Sequence, residues 1–295
     1  MCAIPITEQE NLHSRDMDLM ETARLCELIN TEDHLPAIAV RRVLPRLVTI
    51  ADNMIERFSK GGRILYLGAG TSARIAVMDA AECPPTFGID AQRVQVRIAG
   101  GEKTVFLASE SNEDSSKDGA TAVVEFGAGP LDCVIGLAAS GKTPFVLDGL
   151  RQAREQGAFT ALLSASDQAP DCADVVVRCI TGPEVLTGST RLQAGTAEKM
   201  MVNMLSTVVM VKTGRTYGNR MCYITTGNNK LSARAILTLE AVCDVSREKA
   251  EALIKDAGNN LACAIVMGMC NIGANEAAGR LRNANGSVRR AIMGE

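Results

Sequence analysis

Arg63-Ile64-Leu65-Tyr66-Leu67-Gly68-Ala69-Gly70-Thr71-Ser72-Ala73-Arg74 decides the fold. An apolar run of strand length stops at a glycine, and two hydroxyl residues follow at the start of a helical pattern running from about Ser72 to Glu82. The alternation repeats downstream. Strands read at Val94 to Ala99, Cys133 to Ala138, Phe159 to Ser164 and Val175 to Ile180, with helices near Lys103 and Lys117 and from Pro144 to Gln156. Strands alternating with helices call for right-handed crossovers and an α/β parallel sheet covered on both faces. Ligands bind such sheets beyond the carboxyl ends of the strands.

Upstream, helical periodicity from about Asp18 to Ser59, interrupted at Thr31-Glu32-Asp33, forms an N-terminal helical arm with Pro36 as a start and Pro45 as a kink. Downstream, Thr190 to Thr213 reads as one long helix whose buried stripe is Ala197, Met201, Met204, Val208 and Val211. After Asn228-Asn229 the chain is helical, and Gly258, Gly273 and Gly286 punctuate short amphipathic segments between Val245 and Met293. The expected organisation is an arm over 1–56, a sheet domain over 57–220, and a linker with a small helical domain over 221–295.

Composition narrows the chemistry. With 295 residues, 46% of them hydrophobic, the chain can bury one substantial core and a small second one. Its 31 basic and 34 acidic residues are scattered, without the basic stripe of a nucleic-acid binder. Met1 to Glu10 has no leader character and Met200 to Val211 is too short to span a bilayer, so a cytoplasmic protein without membrane partners is expected. Ten cysteines without a C-x-x-C pair read as reduced small hydrophobes. Both histidines, His13 and His34, precede the sheet, so a zinc site or a Ser-His-Asp triad lacks parts there. No metal or cofactor is expected, and acid–base work falls to Asp and Glu.

Three loops carry the remaining signal. Gly68-Ala69-Gly70-Thr71-Ser72-Ala73 fits the dinucleotide pattern G-x-G-x-x-A, but the next strand ends in Ile98-Ala99-Gly100-Gly101, without the acidic residue that holds a ribose. Thr71 and Ser72 instead place hydroxyls at a helix N-terminus, where free amides and the dipole favour an anion. Gly136-Leu137-Ala138-Ala139-Ser140-Gly141-Lys142-Thr143 fits G-x-x-x-x-G-K-T, yet Gly136 lies inside an apolar strand and no later strand ends in a magnesium-holding carboxylate. Ser140, Gly141 and Thr143 still suit a phosphate monoester at the start of a helix. Gly182 to Arg191, with Thr187, Ser189 and Thr190, is the third hydroxyl-rich loop; capping accounts for one of its hydroxyls, not three.

Two carboxylates stand out. Glu82 precedes Cys83-Pro84-Pro85 at the expected C-terminal end of its helix, where the negative helix end and burial would favour the protonated form that a general acid needs. Glu113, within Ser109-Glu110-Ser111-Asn112-Glu113-Asp114, reads from composition as a solvated polar loop, an N-cap or a base.

Taken together these loops resemble the SIS sugar-phosphate fold, and in particular the bacterial N-acetylmuramic acid 6-phosphate etherases. The resemblance runs from Thr7-Glu8 to the final helical module. It rests on Gly68 to Ser72, Asp79-Ala80-Ala81-Glu82-Cys83-Pro84-Pro85-Thr86-Phe87-Gly88, Ile98 to Glu102, Ala139 to Phe145 and Gly182 to Arg191. It implies an SIS-type parallel sheet flanked by helices, and a homodimeric lyase with its site near the dimer interface. The substrate it implies is a small-molecule sugar phosphate, whose lactyl ether would be cleaved by elimination and hydration during cell-wall recycling. By similarity Glu82 matches the general acid and Glu113 a second catalytic carboxylate, the base. Ser72, Ser140 and Thr143 match phosphate-holding positions, with Ser189 and Thr190 nearby.

The chain departs from that family where S-G-R becomes Ser72-Ala73-Arg74, which would bring a methyl to the phosphate loop. It departs again where R-M-K-A-G-T-A-Q-K becomes Arg191-Leu192-Gln193-Ala194-Gly195-Thr196-Ala197-Glu198-Lys199, which would subtract positive charge near an anion site. Sugar-phosphate-sensing regulators and aldose–ketose isomerases share the fold and are the alternative functions.

Overall fold

The computed structural model describes residues 4–107, 116–224 and 229–294. Five parallel strands, β1 (Ile64–Gly68), β2 (Val94–Ile98), β3 (Cys133–Leu137), β4 (Phe159–Ser164) and β5 (Val175–Arg178), form one sheet in the order β2-β1-β3-β4-β5. Every residue of β1, β3 and β4 is buried, which is why these strands read as unbroken apolar runs rather than as alternation. Gly68 pairs with Ile98 on one side and Leu137 on the other, so three strands end level. The chain leaves β1 for β2 on one side and then places β3 on the other. That reversal opens a crevice at the carboxyl ends of β1 and β3.

The chain divides into two compact units, one comprising Met1–Ala80 and Gln92–Ser206, the other Ala81–Ala91 and Thr207–Glu295. In the first, helices α1 (Thr22–Glu32) and α2 (Leu35–Ser59) precede the sheet. Helix α2 runs unbroken through Pro45, the position of the expected kink. Pro45 and Arg41 are both exposed, so the carbonyl that loses its amide partner there faces solvent.

Helices α4 (Ser116–Phe126) and α5 (Pro144–Glu155) pack at backbone distance. A Cβ on Gly119 would lie 1.9 Å from the Phe145 carbonyl oxygen, and one on Gly149 would lie 2.6 Å from Leu67 Cδ1. Gly136 serves the same packing, since a side chain there would meet Val146 Cγ1 at 2.5 Å and Leu150 Cδ1 at 2.8 Å. It is a strand glycine that admits α5, so its match to the nucleotide-loop pattern is a coincidence of spacing.

Two expectations about helices are corrected. Helix α3 (Gly70–Phe87) does not stop at Glu82 but continues through Pro84 and Pro85 to a Gly88 at φ +59°. The tandem prolines have helical φ and remove only the amides that would have bonded to the Ala80 and Ala81 carbonyls. The buried positions of α6 (Gln193–Lys212) include Ala197, Met201, Leu205 and Val209, while Met204 and Val208 are half-buried and Val211 is 44% exposed. The stripe follows an i, i+4 row rather than the drifting row read from the sequence.

The second unit has its own core, including Leu239, Leu253, Leu261, Ile265, Leu281 and Val288. It contains a two-stranded antiparallel ribbon, β6 (Thr216–Tyr217) and β7 (Arg220–Met221), and helices α7 (Asn229–Cys243), α8 (Arg247–Asp256), α9 (Leu261–Cys270), α10 (Ala274–Asn283) and α11 (Val288–Met293). Among the described residues no single helix is long and apolar enough to cross a membrane, and no group of three or more His, Cys, Asp or Glu is placed to hold a metal ion.

Candidate functional site

The loops after β1 and β3 flank the crevice. Ala69 accepts the Ala73 amide, and Ala99 donates to Gly68, so the first loop is fixed to the β2 edge. Thr71 is half-buried and Ser72 is buried, both in the first turn of α3. Ala73 is fully buried, and its methyl lies 3.2 Å from where a Gly68 Cβ would stand. The methyl therefore faces the strand rather than an incoming anion.

On the β3 side, Ala138 accepts the Gly141 amide, and Ser140 Oγ accepts the Lys142 amide at 3.2 Å. Gly141 has φ +72°, and a side chain there would meet Ala169 Cβ at 2.6 Å, so the turn needs glycine twice over. Ser164 Oγ, at the end of β4, donates to the Ala139 carbonyl and accepts the Ser166 amide. Thr143 is the N-cap residue of α5, yet its side chain caps nothing, and Pro144 brings no amide of its own. Lys142 Nζ is turned to Gln168 Oε1 at 2.8 Å.

The third loop joins the other two through α6. Ala139, Ala165 and Ala194 pack together, and Gly195 lies against the Thr190 carbonyl and Thr71 Cγ2, at 3.4 and 3.6 Å from its would-be Cβ. Thus Thr71, Ser72, Ser140, Gly141, Thr143, Ser189 and Thr190 lie on three neighbouring loops of one unit. Among the described residues the hydroxyls of Thr71, Thr143, Ser189 and Thr190 form no hydrogen bond within the chain.

The structure adds two carboxylates that sequence reading did not place. Glu184, fully buried in the third loop, accepts the Gln193 amide at 2.9 Å and the Ala194 amide at 3.0 Å. It finishes the α6 N-terminus in place of Ser189 or Thr190. Burial raises its pKa, and the two amides oppose that shift. Glu198, on the second turn of α6 and 1% exposed, sits 3.1 Å from Ser72 Oγ. Burial pushes its carboxyl up to about 8 against the lowering effect of Ser72.

The charge loss expected from Gln193 and Glu198 therefore takes a different form. Gln193 is fully buried and donates to Glu32 Oε2 at 3.2 Å and to the Pro183 carbonyl at 3.4 Å, while burial pushes the Glu198 carboxyl toward its neutral form. A third buried acid, Asp79 of α3, accepts from Tyr66 of β1 and from Asn203 and Ser206 of α6, tying those elements together.

The two proposed catalytic glutamates are placed less fully. Glu82 belongs to the second unit and is exposed in the body of α3, so neither a helix C-terminus nor burial acts on it as expected. Glu113 lies outside the described residues. The segment leading to it starts from the turn Glu102–Val105, which Arg74 of α3 holds by donating to the Thr104 and Val105 carbonyls.

Comparison with known proteins extends this geometry. Residues 46–154 match the family model of the glucokinase regulatory protein N-terminal SIS domain. The chain is 40% identical to N-acetylmuramic acid 6-phosphate etherase 2 of Vibrio cholerae serotype O1, over 97% of this chain and 94% of that protein. The chain belongs to the N-acetylmuramic acid 6-phosphate etherase family. It is also 42% identical to the etherase of a Geobacillus species, over 97% of this chain and 98% of that protein, and 42% identical to that of a Synechococcus species, over 97% and 92%. The similarity covers 97% of the chain and so extends to residues 207–295 of the second unit, which lie beyond the SIS match.

Proposed function

We propose that this chain cleaves the D-lactyl ether of N-acetylmuramic acid 6-phosphate, releasing D-lactate and leaving N-acetylglucosamine 6-phosphate, in amino-sugar recycling. The observation that carries the reading is the pair of hydroxyl-bearing helix N-termini, Thr71 and Ser72 on α3 and Thr143 on α5, across the switch point of a chain in this family. Two N-termini converging on one crevice suit a phosphate dianion.

In this reading the loops hold the phosphate while the opened sugar presents its aldehyde. The aldehyde acidifies the C2 proton, which Glu113 removes as base. The C3–O bond then breaks, and Glu82 gives its proton to the departing lactyl oxygen. Water adds across the resulting double bond, its hydroxyl to C3 and a proton to C2, so both carboxyls return to their starting states.

The protein would act in the cytoplasm as a homodimer. Helix α2 leaves Leu35, Ile38, Leu44 and Val48 between 36% and 56% exposed, an apolar surface that a second copy can cover. Sedimentation velocity reads this directly, and a monomer at micromolar concentration would overturn it.

The deciding experiment incubates the purified protein with N-acetylmuramic acid 6-phosphate and assays D-lactate. Release is expected from the natural chain and lost in Glu82→Gln, with N-acetylglucosamine 6-phosphate still bound by the variant. No lactate from the natural chain sinks the etherase reading, and unchanged turnover in Glu82→Gln sinks the acid role.

A further inference from the structure

Glu198 is held in a setting that suits only one protonation state. One carboxyl oxygen lies 3.1 Å from Ser72 Oγ; the other is buried and has no hydrogen-bond partner among the described residues. Among those residues no lysine or arginine pairs with it. The groups that bear on it are the Ser72 hydroxyl from α3 and the Cys179 thiol just beyond β5, itself pushed up to about 12 by burial and by Glu198. An ionised carboxylate with a single neutral hydrogen bond and no counter-charge is poorly tolerated in a protein interior.

A neutral carboxyl has one proton and two places to carry it. On Oε2 it would point at no acceptor. On Oε1 it donates to Ser72 Oγ, leaving only a carbonyl-like oxygen without a partner, the more readily tolerated deficit. Ser72 Oγ then accepts from inside the protein, and its own proton is free to turn outward to a ligand at the α3 N-terminus. If Glu198 ionises, the roles reverse. Ser72 must donate inward, and a negative charge lies beneath the anion site.

We propose that Glu198 is a positioning residue of the phosphate loop: its neutral carboxyl donates to Ser72 Oγ and so commits the Ser72 hydroxyl to donate to the phosphoryl group of the substrate. This rests on the sugar-phosphate reading above and names what keeps one of its donors correctly aimed. A glutamine would do the same through its amide N–H₂, which cannot ionise.

The test compares the natural chain with Glu198→Gln between about pH 7 and about pH 9.5, a range in which the substrate phosphate is already a dianion. In the natural chain KM for lactate release is expected to rise above about pH 8, approaching about tenfold per pH unit as the competent form is depleted, with kcat changing much less. Glu198→Gln is expected to keep a flat KM. An equal alkaline rise in the variant, or none in the natural chain, overturns the proposal.

A second measurement needs neither the variant nor turnover. Titration calorimetry of N-acetylglucosamine 6-phosphate into the natural chain at about pH 9, in buffers of different ionisation enthalpy, is expected to show uptake of close to one proton on binding. Binding without proton uptake, or no binding, overturns the proposal. Absence of lactate with proton-coupled binding intact would instead remove the etherase reading and leave the role of Glu198 standing.

Discussion

Helix N-termini are finished differently in the two units. In the second, Ser246, Asn260 and Ser287 each turn a side-chain oxygen to an amide of their own helix, at Lys249, Cys263 and Arg290. Around the sheet crevice the same kinds of residue are withheld from that use. Thr143 stands at the N-cap of α5 and caps nothing, Ser72 is turned to Glu198, and α6 is capped by Glu184 while Ser189 and Thr190 stand by. Capping is worth typically ~1 kcal/mol, so leaving a threonine idle at a helix start forgoes stability. A residue type that signals a helix start therefore signals a binding site when the structure declines to use it as a cap.

The largest effect expected from this comparison is at Glu184. Replacing it with alanine orphans two buried amides at the start of α6 and removes two bonds to a carboxylate, for a loss of about 3 kcal/mol. The urea midpoint should fall with an unchanged slope. A loss below about 1 kcal/mol would mean that loop hydroxyls can replace the carboxylate, and the contrast between the two kinds of helix start would fail at α6.

How far the sequence revealed this arrangement depends on how local each feature is. The strands were legible because a parallel strand buried on both faces leaves an apolar run, as in Phe159–Ser164, where reading and structure coincide. The hydroxyl loops were legible because they follow such runs directly. The face of α6 was not, since Met204 and Leu205 are equally apolar and only packing makes Leu205 the buried one. Pro84-Pro85 suggested a helix end at Glu82, although proline's fixed φ is itself helical. Glu198 could be noticed as a departure from the family but not as a neighbour of Ser72, because the pair is 126 positions apart in sequence. Glu184 follows Gly182-Pro183 in a loop whose hydroxyls drew the capping assignment. Its role follows from a chain path that brings it to amides nine and ten residues later.

The smallest stability effect provides the sharpest contrast, from a matched pair. Asn260→Ala in the second unit removes a working cap from α9 and should cost about 1 kcal/mol, with sugar-phosphate binding unchanged. Thr143→Ala removes a side chain that makes no hydrogen bond to its helix, so stability should change by no more than about 0.5 kcal/mol. If Thr143 serves the ligand, the same substitution weakens N-acetylglucosamine 6-phosphate binding by about tenfold, the worth of one hydroxyl-to-phosphate hydrogen bond. Denaturant unfolding and titration calorimetry on the two variants separate the cases. If Thr143→Ala instead loses as much stability as Asn260→Ala and binds the sugar phosphate unchanged, the threonine is an ordinary cap, and the crevice loses one of the two helix starts on which its phosphate site is built.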